Sequence, residues 1–125
     1  MTENEISFKI RGCIFKVYNA LGPGLLESVY EAALAYELKE INLKAKTQVP
    51  IPVYYNEIKL DLGFRADIIV QDKVLIEIKS IENIAEVHHK QVLTYLKLTG
   101  LKLGILINFN TGDISHAIIR KVNGL

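Results

Sequence analysis

Two neighbouring apolar segments carry charged side chains at positions where a buried strand has little room for them. The segments run from Ala66 to Val70 and from Val74 to Lys79, and a short polar turn joins them. Both are rich in β-branched residues, which predicts two largely buried strands. Asp67, Glu77 and Lys79 therefore need a counter-charge, water or a metal ion, because burying an isolated charge is costly.

The register between these two strands decides whether the three charges meet. Glu77 and Lys79 are two residues apart, so a strand directs both side chains to one face. A three-residue connection over residues 71–73 would place Asp67 opposite Glu77 on that face. A two-residue turn at residues 71–72 would send Asp67 to the other face. The sequence leaves both registers open.

If the three side chains converge, their chemistry is that of a metal-dependent site that cleaves phosphodiesters. Two carboxylates, Asp67 and Glu77, suit Mg²⁺ or Mn²⁺, which prefer oxygen ligands. Such a metal acidifies a bound water and neutralises charge on the phosphodiester. Lys79 would orient that water or offset the developing negative charge. The plainer interpretation is a surface ion pair between Lys79 and a carboxylate, since short motifs often match by chance.

Other polar residues lie on predicted helices and could belong to the same site. Glu27 lies in the first turn of the second helix, where the helix dipole favours an acid whatever its function. Gln91 and Tyr95 are spaced i, i+4 on the third helix, and His88 lies about one turn earlier on the same side. These side chains either line a cleft or face solvent.

The composition predicts one domain, residues 1–125, with a substantial core. Half of the 125 residues are hydrophobic, and no low-complexity stretch interrupts them. The formal net charge of +1 differs from the strongly basic footprint of a protein that coats nucleic acid. Affinity for nucleic acid would therefore have to come from a local patch, a metal ion or a partner.

Several features predict a soluble, cytoplasmic protein. The single Cys13 cannot form an intramolecular disulfide, which favours a reducing compartment. The acidic N-terminal residues lack the apolar region of a signal peptide. No apolar run approaches the length that a bilayer crossing needs, so no membrane association is expected.

Hydrophobic periodicity predicts the order helix, helix, three or four strands, helix, strand, which implies a mixed sheet with helices packed on it. Thr2 and Glu5 could form a capping box on the first helix, which residues 22–24 (Gly-Pro-Gly) would end. The second helix should end near Asn42. Its predicted inner face consists of Leu26, Val29, Tyr30, Ala33, Leu34 and Ile41.

The remaining elements follow from turn and proline signals. Val49, Ile51 and Val53 alternate with Pro50 and Pro52, and these prolines would confine this strand to a sheet edge. Residues 56–57 predict a turn, and residues 84–99 predict the third helix with Gly100 just beyond its end. A buried strand over residues 103–107 and a short last strand over residues 114–119 complete the chain.

Residues 24–30, Gly-Leu-Leu-Glu-Ser-Val-Tyr, form the pattern G-x-x-E-x-x-Y. With this pattern the chain resembles the prokaryotic GxxExxY protein family. The likeness continues through residues 64–67 (Phe-Arg-Ala-Asp), residues 76–80 (Ile-Glu-Ile-Lys-Ser), the third-helix polar residues and residues 106–109. That family is placed in the PD-(D/E)XK nuclease-like superfamily. The resemblance covers about residues 21–109. Ala66 stands where the superfamily's name has a proline.

The resemblance implies an α/β, restriction-endonuclease-like core in which helices flank a mixed central β-sheet. The implied order is α-α-β-β-β-α-β, with the option of a short last strand. It also implies a Mg²⁺- or Mn²⁺-dependent nuclease in which Asp67 and Glu77 bind the metal and Lys79 and Glu27 complete the catalytic set. The implied substrate contacts are Gln91, Tyr95, His88 and Tyr30.

The expected partner is nucleic acid, with DNA favoured over RNA, although the sequence does not separate the two; a homodimer or a protein partner also remains open. The superfamily also contains inactive and purely DNA-binding members, and a fold alone does not assign a function. The alternative is therefore a catalytically silent module of nuclease fold that binds nucleic acid or a protein without turnover.

Overall fold

A computed structural model describes all of residues 1–125. Its helices are α1 (Glu3–Leu21), α2 (Glu27–Glu40) and α3 (Glu86–Thr99). The predicted capping box begins α1: Thr2 Oγ1 accepts the Glu5 N–H at 3.2 Å, and Glu5 Oε1 accepts the Thr2 N–H at 3.1 Å. No helix combines the length and the apolar character that a membrane crossing needs.

The strands are β1 (Ala45–Pro50), β2 (Val53–Tyr55), β3 (Ile58–Leu60), β4 (Arg65–Val70), β5 (Val74–Lys79), β6 (Leu103–Asn108) and β7 (Ile118–Val122). Five of them form one sheet in the order β1-β4-β5-β6-β7. Only β5 and β6 pair in parallel, and α3 makes the crossover between them. The predicted mixed sheet flanked by helices is confirmed.

Strands β2 and β3 form a separate two-stranded hairpin. Its turn is at Asn56 and Glu57, with φ of 47° and 68°, as predicted for residues 56–57. The predicted continuous strand over residues 49–53 is wrong, because β1 ends at Pro50 and β2 begins only at Val53. The intervening Ile51 N–H donates instead to the carbonyl of Phe64. Strand β1 does lie at the sheet edge, as its proline predicted.

The sheet separates two unequal hydrophobic clusters. The larger has 21 buried residues and joins α1 and α2 to one face, including Ile68, Ile76 and Ile105. The smaller has 8 buried residues and joins α3 to the other face, including Leu75, Val92 and Leu106. Because side chains alternate along a strand, Glu77 and Lys79 share the α3 face with Leu75.

Gly104 on β6 lets α3 approach the sheet closely. A Cβ atom at this position would lie 2.7 Å from Val92 Cγ1 and 3.4 Å from both terminal methyl groups of Leu96. The first of these separations is too short for two carbon atoms. The missing side chain therefore sets the distance between α3 and β6.

The inner face of α2 differs from the prediction. Its buried residues are Tyr30, Leu34, Ala35 and Leu38, which form one stripe at three- and four-residue spacing. Predicted inner residues outside that stripe are exposed: Leu26, Val29 and Ile41. Leu26 precedes the first helical residue, so it does not share the direction of the stripe.

Two element boundaries also differ. Helix α3 begins at Glu86 rather than at residue 84, because the His88 Nδ1 accepts the Ala85 N–H at 2.9 Å and closes the first turn there. It ends as predicted, with Gly100 in the left-handed region. The predicted last strand is shifted: residues 114–116 form a 3₁₀ turn behind Asp113, and β7 starts at Ile118.

Candidate functional site

The pairing of β4 with β5 stops where the charged residues begin. Val70 pairs with Val74 and Ile68 with Ile76, so residues 71–73 form the three-residue connection and Asp67 lies opposite Glu77. No further residues pair beyond Ile68. Of the two registers left open by the sequence, the structure has the one that brings both carboxylates to the same place.

The two carboxylates take over backbone hydrogen bonds that the ladder no longer makes. Glu77 Oε1 accepts the Asp67 N–H at 3.1 Å. Asp67 Oδ2 accepts the Ile78 N–H at 2.7 Å. Each side chain is thus fixed by a backbone donor of the opposite strand, and one oxygen of each has no backbone partner. These two hydrogen bonds fix the orientation of both carboxyl groups.

Burial and mutual repulsion make ionisation of this pair unfavourable. Glu77 is only 4% exposed. Burial, and then the neighbouring Asp67 charge, raise the pKa of Glu77 from its ordinary value of 4.5 to about 8. Burial also raises the pKa of Asp67, against the opposing effects of the Ile78 N–H and Lys79. Without a bound cation the pair does not hold two full negative charges at neutral pH.

Lys79 lies two residues beyond Glu77 on the same face of β5 and is half-buried. Its ammonium lowers the pKa of both carboxyl groups through its charge. The ion pairs of the chain within 4.0 Å do not include it. The plainer interpretation, a surface ion pair between Lys79 and a carboxylate, therefore does not describe the structure.

Glu27 is held at the end of β5 by the backbone. Its Oε2 accepts the Ser80 N–H at 3.0 Å, and the Ser80 hydroxyl donates to the Leu25 carbonyl at 2.6 Å. These bonds attach the start of α2 to the strand that carries Glu77 and Lys79. Glu27 itself is exposed. The structure therefore brings Glu27 to the edge of the site.

An acidic pocket of about 160 Å³ lies beside Asp67, and its lining is entirely polar: Glu27, Ser28, Glu31, Gln48 and Asp67. Gln48 Nε2 donates to Glu31 Oε1 at 2.6 Å and to Asp67 Oδ1 at 3.4 Å. Burial raises the pKa of Glu31, and the charge of Asp67 adds to that effect.

Glu31 and Gln48 are absent from the residues predicted from sequence. One signal for Glu31 was available, since it follows Glu27 at i, i+4 on α2. Gln48 lies opposite Asp67 in the β1–β4 register, but that register cannot be read from the sequence. Its backbone φ of 50° is also unusual for a non-glycine residue in a strand.

A second, larger cavity lies between α3 and the β3–β4 loop; we call it the α3 cleft. Its volume is about 540 Å³, and its lining includes Phe64, Lys79, His88, Lys90, Gln91 and Tyr95. No Asp or Glu lines it. Lys79 lines the α3 cleft and Asp67 the acidic pocket, so the carboxylate pair lies where basic and acidic surroundings meet.

The predicted polar residues of α3 do reach this cleft. Gln91 Nε2 donates to the Tyr95 hydroxyl oxygen at 3.0 Å. Burial raises the pKa of Tyr95, and the charges of Glu77 and Asp67 add to that effect, which places the phenol within their field. His88 lines the cleft while its Nδ1 is occupied by the Ala85 N–H.

Tyr30, predicted as a substrate contact, is instead part of the core. Its side chain is fully buried and stacks on Phe109 with ring centroids 4.3 Å apart. Its hydroxyl donates to the Gly22 carbonyl and accepts the Leu25 N–H. Tyr30 therefore shapes the turn that precedes Glu27, and no surface remains on it for a substrate.

The donor set fits a hard divalent cation bound mainly through water. No group of three or more His, Cys, Asp or Glu side chains is arranged as a complete metal cage. Asp67 and Glu77 instead offer oxygens of the type that Mg²⁺ accepts, and Mg²⁺ usually keeps several waters beside one or two carboxylates. A cation there would also relieve the repulsion that raises the pKa of Glu77.

Comparison with known proteins gives one match. The model of a family described as the PD-(D/E)XK nuclease superfamily matches residues 4–121. No curated protein and no solved structure matches the chain significantly. The family match covers nearly all of the sheet and of the three helices, including the opened β4–β5 pair. The chain therefore belongs to the PD-(D/E)XK nuclease superfamily.

Proposed function

We propose that this protein is a metal-dependent nuclease that hydrolyses phosphodiester bonds in DNA, with Mg²⁺ or Mn²⁺ as its cofactor. The superfamily suggests a nuclease-type function and, in general, nucleic-acid binding and divalent metals. The proposal adds DNA as the substrate and an attacking water. It also includes membership of the narrower GxxExxY family, for which residues 24–30 are the argument, and a cytoplasmic setting.

One observation carries the proposal: the β4–β5 ladder opens at a pair of carboxylates that the backbone holds in place. Asp67 and Glu77 are oriented by N–H groups of the opposite strand, and Lys79 extends from the same face. A purely structural sheet would gain stability from apolar residues here, since buried charges cost free energy. Holding two of them together is useful where a cation must bind.

The residues divide the chemistry between them. When bound, a divalent metal would supply an acidified water and neutralise charge on the phosphodiester. Asp67 and Glu77 would hold it through the oxygens that the backbone leaves free. Lys79 would place its ammonium beside the phosphate and offset the negative charge that develops during attack. Glu27 would keep the start of α2 and the end of β5 together through Ser80.

The α3 residues would position the substrate. Gln91 fixes the Tyr95 hydroxyl, and both line the cleft into which Lys79 extends. His88 is held at the start of α3 by the Ala85 N–H, so its remaining ring nitrogen is the one that faces a ligand or solvent. A rigid group of donors and acceptors of this kind binds a chain in one orientation.

The alternative is a silent module that binds nucleic acid without turnover. The observation that favours it is the raised pKa of Glu77, because a neutral carboxyl at pH 7 is a weak metal ligand. The two functions differ in turnover. A nuclease cleaves in Mg²⁺ or Mn²⁺ and not in chelator, whereas a silent module cleaves under neither condition.

The test is cleavage of labelled single-stranded, duplex and branched DNA and of RNA, in Mg²⁺, in Mn²⁺ and in chelator. Lys79→Ala should lower the rate by roughly 100-fold or more, because it removes a charge that stabilises the transition state. Lys102→Ala is the matched control, an exposed lysine just before β6, at the opposite end of the sheet. It should cleave at the wild-type rate.

Three results would contradict the proposal. Cleavage that persists in chelator would remove the metal from the mechanism. Equal rates for wild type, Lys79→Ala and Lys102→Ala would identify the activity as a contaminant. Binding without cleavage of any substrate would favour the silent module.

A further inference from the structure

The α3 cleft gathers basic and aromatic side chains in a chain that is otherwise nearly neutral. The formal net charge is +1, yet Lys79, Lys90 and His88 all line this cleft and no carboxylate does. Acidic groups lie instead in the neighbouring acidic pocket. Because the basic side chains line the cleft and the acidic ones line the neighbouring pocket, the cleft favours an anionic ligand.

Two aromatic residues line the cleft, Phe64 and Tyr95, and Phe64 is the exposed one. Phe64 is 40% exposed, although phenylalanine is usually buried. Its centroid lies 6.1 Å from that of Tyr95, which is only 6% exposed, at an interplanar angle of 43°. The Phe64 carbonyl accepts the N–H of buried Ile51 at 2.8 Å, so the loop that carries the ring is anchored to the core. Phe64 is therefore an anchored aromatic residue that stays partly exposed beside Tyr95.

A nucleotide offers both complements, because it carries an anionic phosphate and a flat aromatic base whose face can stack on a ring. The cleft volume of about 540 Å³ falls within the range that proteins use for small ligands, roughly 300–1,000 Å³. A base inside a duplex is covered on both faces by its neighbours and has no free face for Phe64. An unstacked base does, and stacking on aromatic side chains is how proteins hold single strands.

We propose that the α3 cleft binds one unstacked nucleotide of single-stranded DNA, with the base on Phe64 and the flanking phosphates on Lys79 and Lys90. This rests on the proposed function in two respects: DNA is the substrate proposed there, and Lys79 belongs both to this cleft and to the proposed cleavage site. The bound nucleotide therefore lies next to the bond that would be cut. The preferred substrate is a single strand, or a duplex whose end is frayed.

The test measures binding in chelator, where the proposed metal-dependent cleavage does not occur. A short fluorescent oligothymidine is titrated with protein and followed by anisotropy, beside a blunt duplex and an RNA of matching sequence. Phe64→Ala should weaken single-strand binding by roughly ten- to a hundredfold, the usual effect of losing one stacking contact. Phe64→Tyr keeps the ring and should restore binding to within a few-fold of wild type.

Matched controls separate stacking from general loss of apolar surface. Leu62→Ala removes an apolar side chain of the same loop that is 59% exposed and does not line the cleft, so binding should not change. Lys90→Gln should weaken binding and reduce its salt dependence by about one released counterion. Thermal melting of each variant at the wild-type temperature shows that the fold is retained.

The outcomes are distinct. Equal binding by wild type, Phe64→Ala and Leu62→Ala overturns the inference, as does a duplex that competes as well as the single strand. Tighter binding of RNA overturns the choice of DNA. If single-strand binding depends on Phe64 but nothing is cleaved in Mg²⁺ or Mn²⁺, the inference stands and the proposed function falls. If cleavage depends on Lys79 but neither cleavage nor binding depends on Phe64, the proposed function stands and the inference about the α3 cleft falls.

Discussion

Replacement of Glu77 by glutamine tests whether burial and the neighbouring Asp67 make ionisation of Glu77 as unfavourable as the geometry indicates. In chelator, burial and Asp67 keep the folded protein's Glu77 carboxyl neutral until the pH approaches its pKa of about 8. An exposed glutamate ionises near 4.5. Between these values the unfolded state binds fewer protons than the folded state, so the free energy of unfolding falls as the pH rises.

The magnitude follows from the two pKa values. Each pKa unit is worth about 1.36 kcal/mol, so the interval from 4.5 to about 8 corresponds to roughly 5 kcal/mol. About 4 kcal/mol of this is lost by the wild type between pH 5 and pH 8.5. Glutamine has the same shape, stays neutral and can still accept the Asp67 N–H. Glu77→Gln should match the wild type near pH 5 and exceed its stability by roughly 4 kcal/mol near pH 8.5.

The assay is urea unfolding followed by circular dichroism at both pH values, in chelator. Glu82→Gln, at an exposed position just after β5, is the control and should follow the wild type at each pH. The reasoning is refuted if the stability difference between Glu77→Gln and wild type is the same at pH 5 and pH 8.5. Glu77 would then ionise in the folded protein as an ordinary exposed carboxyl group does.

Two further predictions concern packing. Gly104→Ala should destabilise the protein by about 1–3 kcal/mol, because the new Cβ would lie 2.7 Å from Val92 Cγ1. Adding Val92→Ala should remove most of that penalty in a double-mutant cycle of urea midpoints, and strictly additive effects would contradict the clash. Tyr30→Phe should cost about 1–3 kcal/mol, because the Leu25 N–H and the Gly22 carbonyl lose the hydroxyl. An unchanged melting temperature of Tyr30→Phe would contradict this, because it would show that water takes over the two hydrogen bonds of the missing hydroxyl.

The sequence predicted the parts of the fold that local patterns determine. Thr2 and Glu5 form their capping box, Gly100 ends α3, and the β-branched runs around Asp67 and Glu77 are strands. Each of these depends on residues within a few positions of one another. The mixed sheet followed from the order of such elements.

What the sequence could not determine depends on contacts between distant residues. The β4–β5 register required a choice between two loop lengths that residues 71–73 allow equally. Gln48 meets Asp67 only because β1 pairs with β4, although 19 positions separate them. Tyr30 looked like a site residue because it belongs to a motif, but its hydroxyl serves the turn before Glu27. A motif identifies which residues matter without saying whether they touch substrate.

The unequal division of the core has a consequence for hydrogen exchange. The α3 face of the sheet is held by 8 buried residues, against 21 on the face of α1 and α2. Regions with fewer apolar contacts open at lower free energy than the whole molecule unfolds. We therefore expect the amides of α3 to exchange through a partial opening that leaves the larger layer protected. A nucleotide bound in the α3 cleft would slow the exchange of the α3 amides and leave the exchange rates of the other amides unchanged. The exchange rate of α3 would therefore report how much of the cleft is occupied.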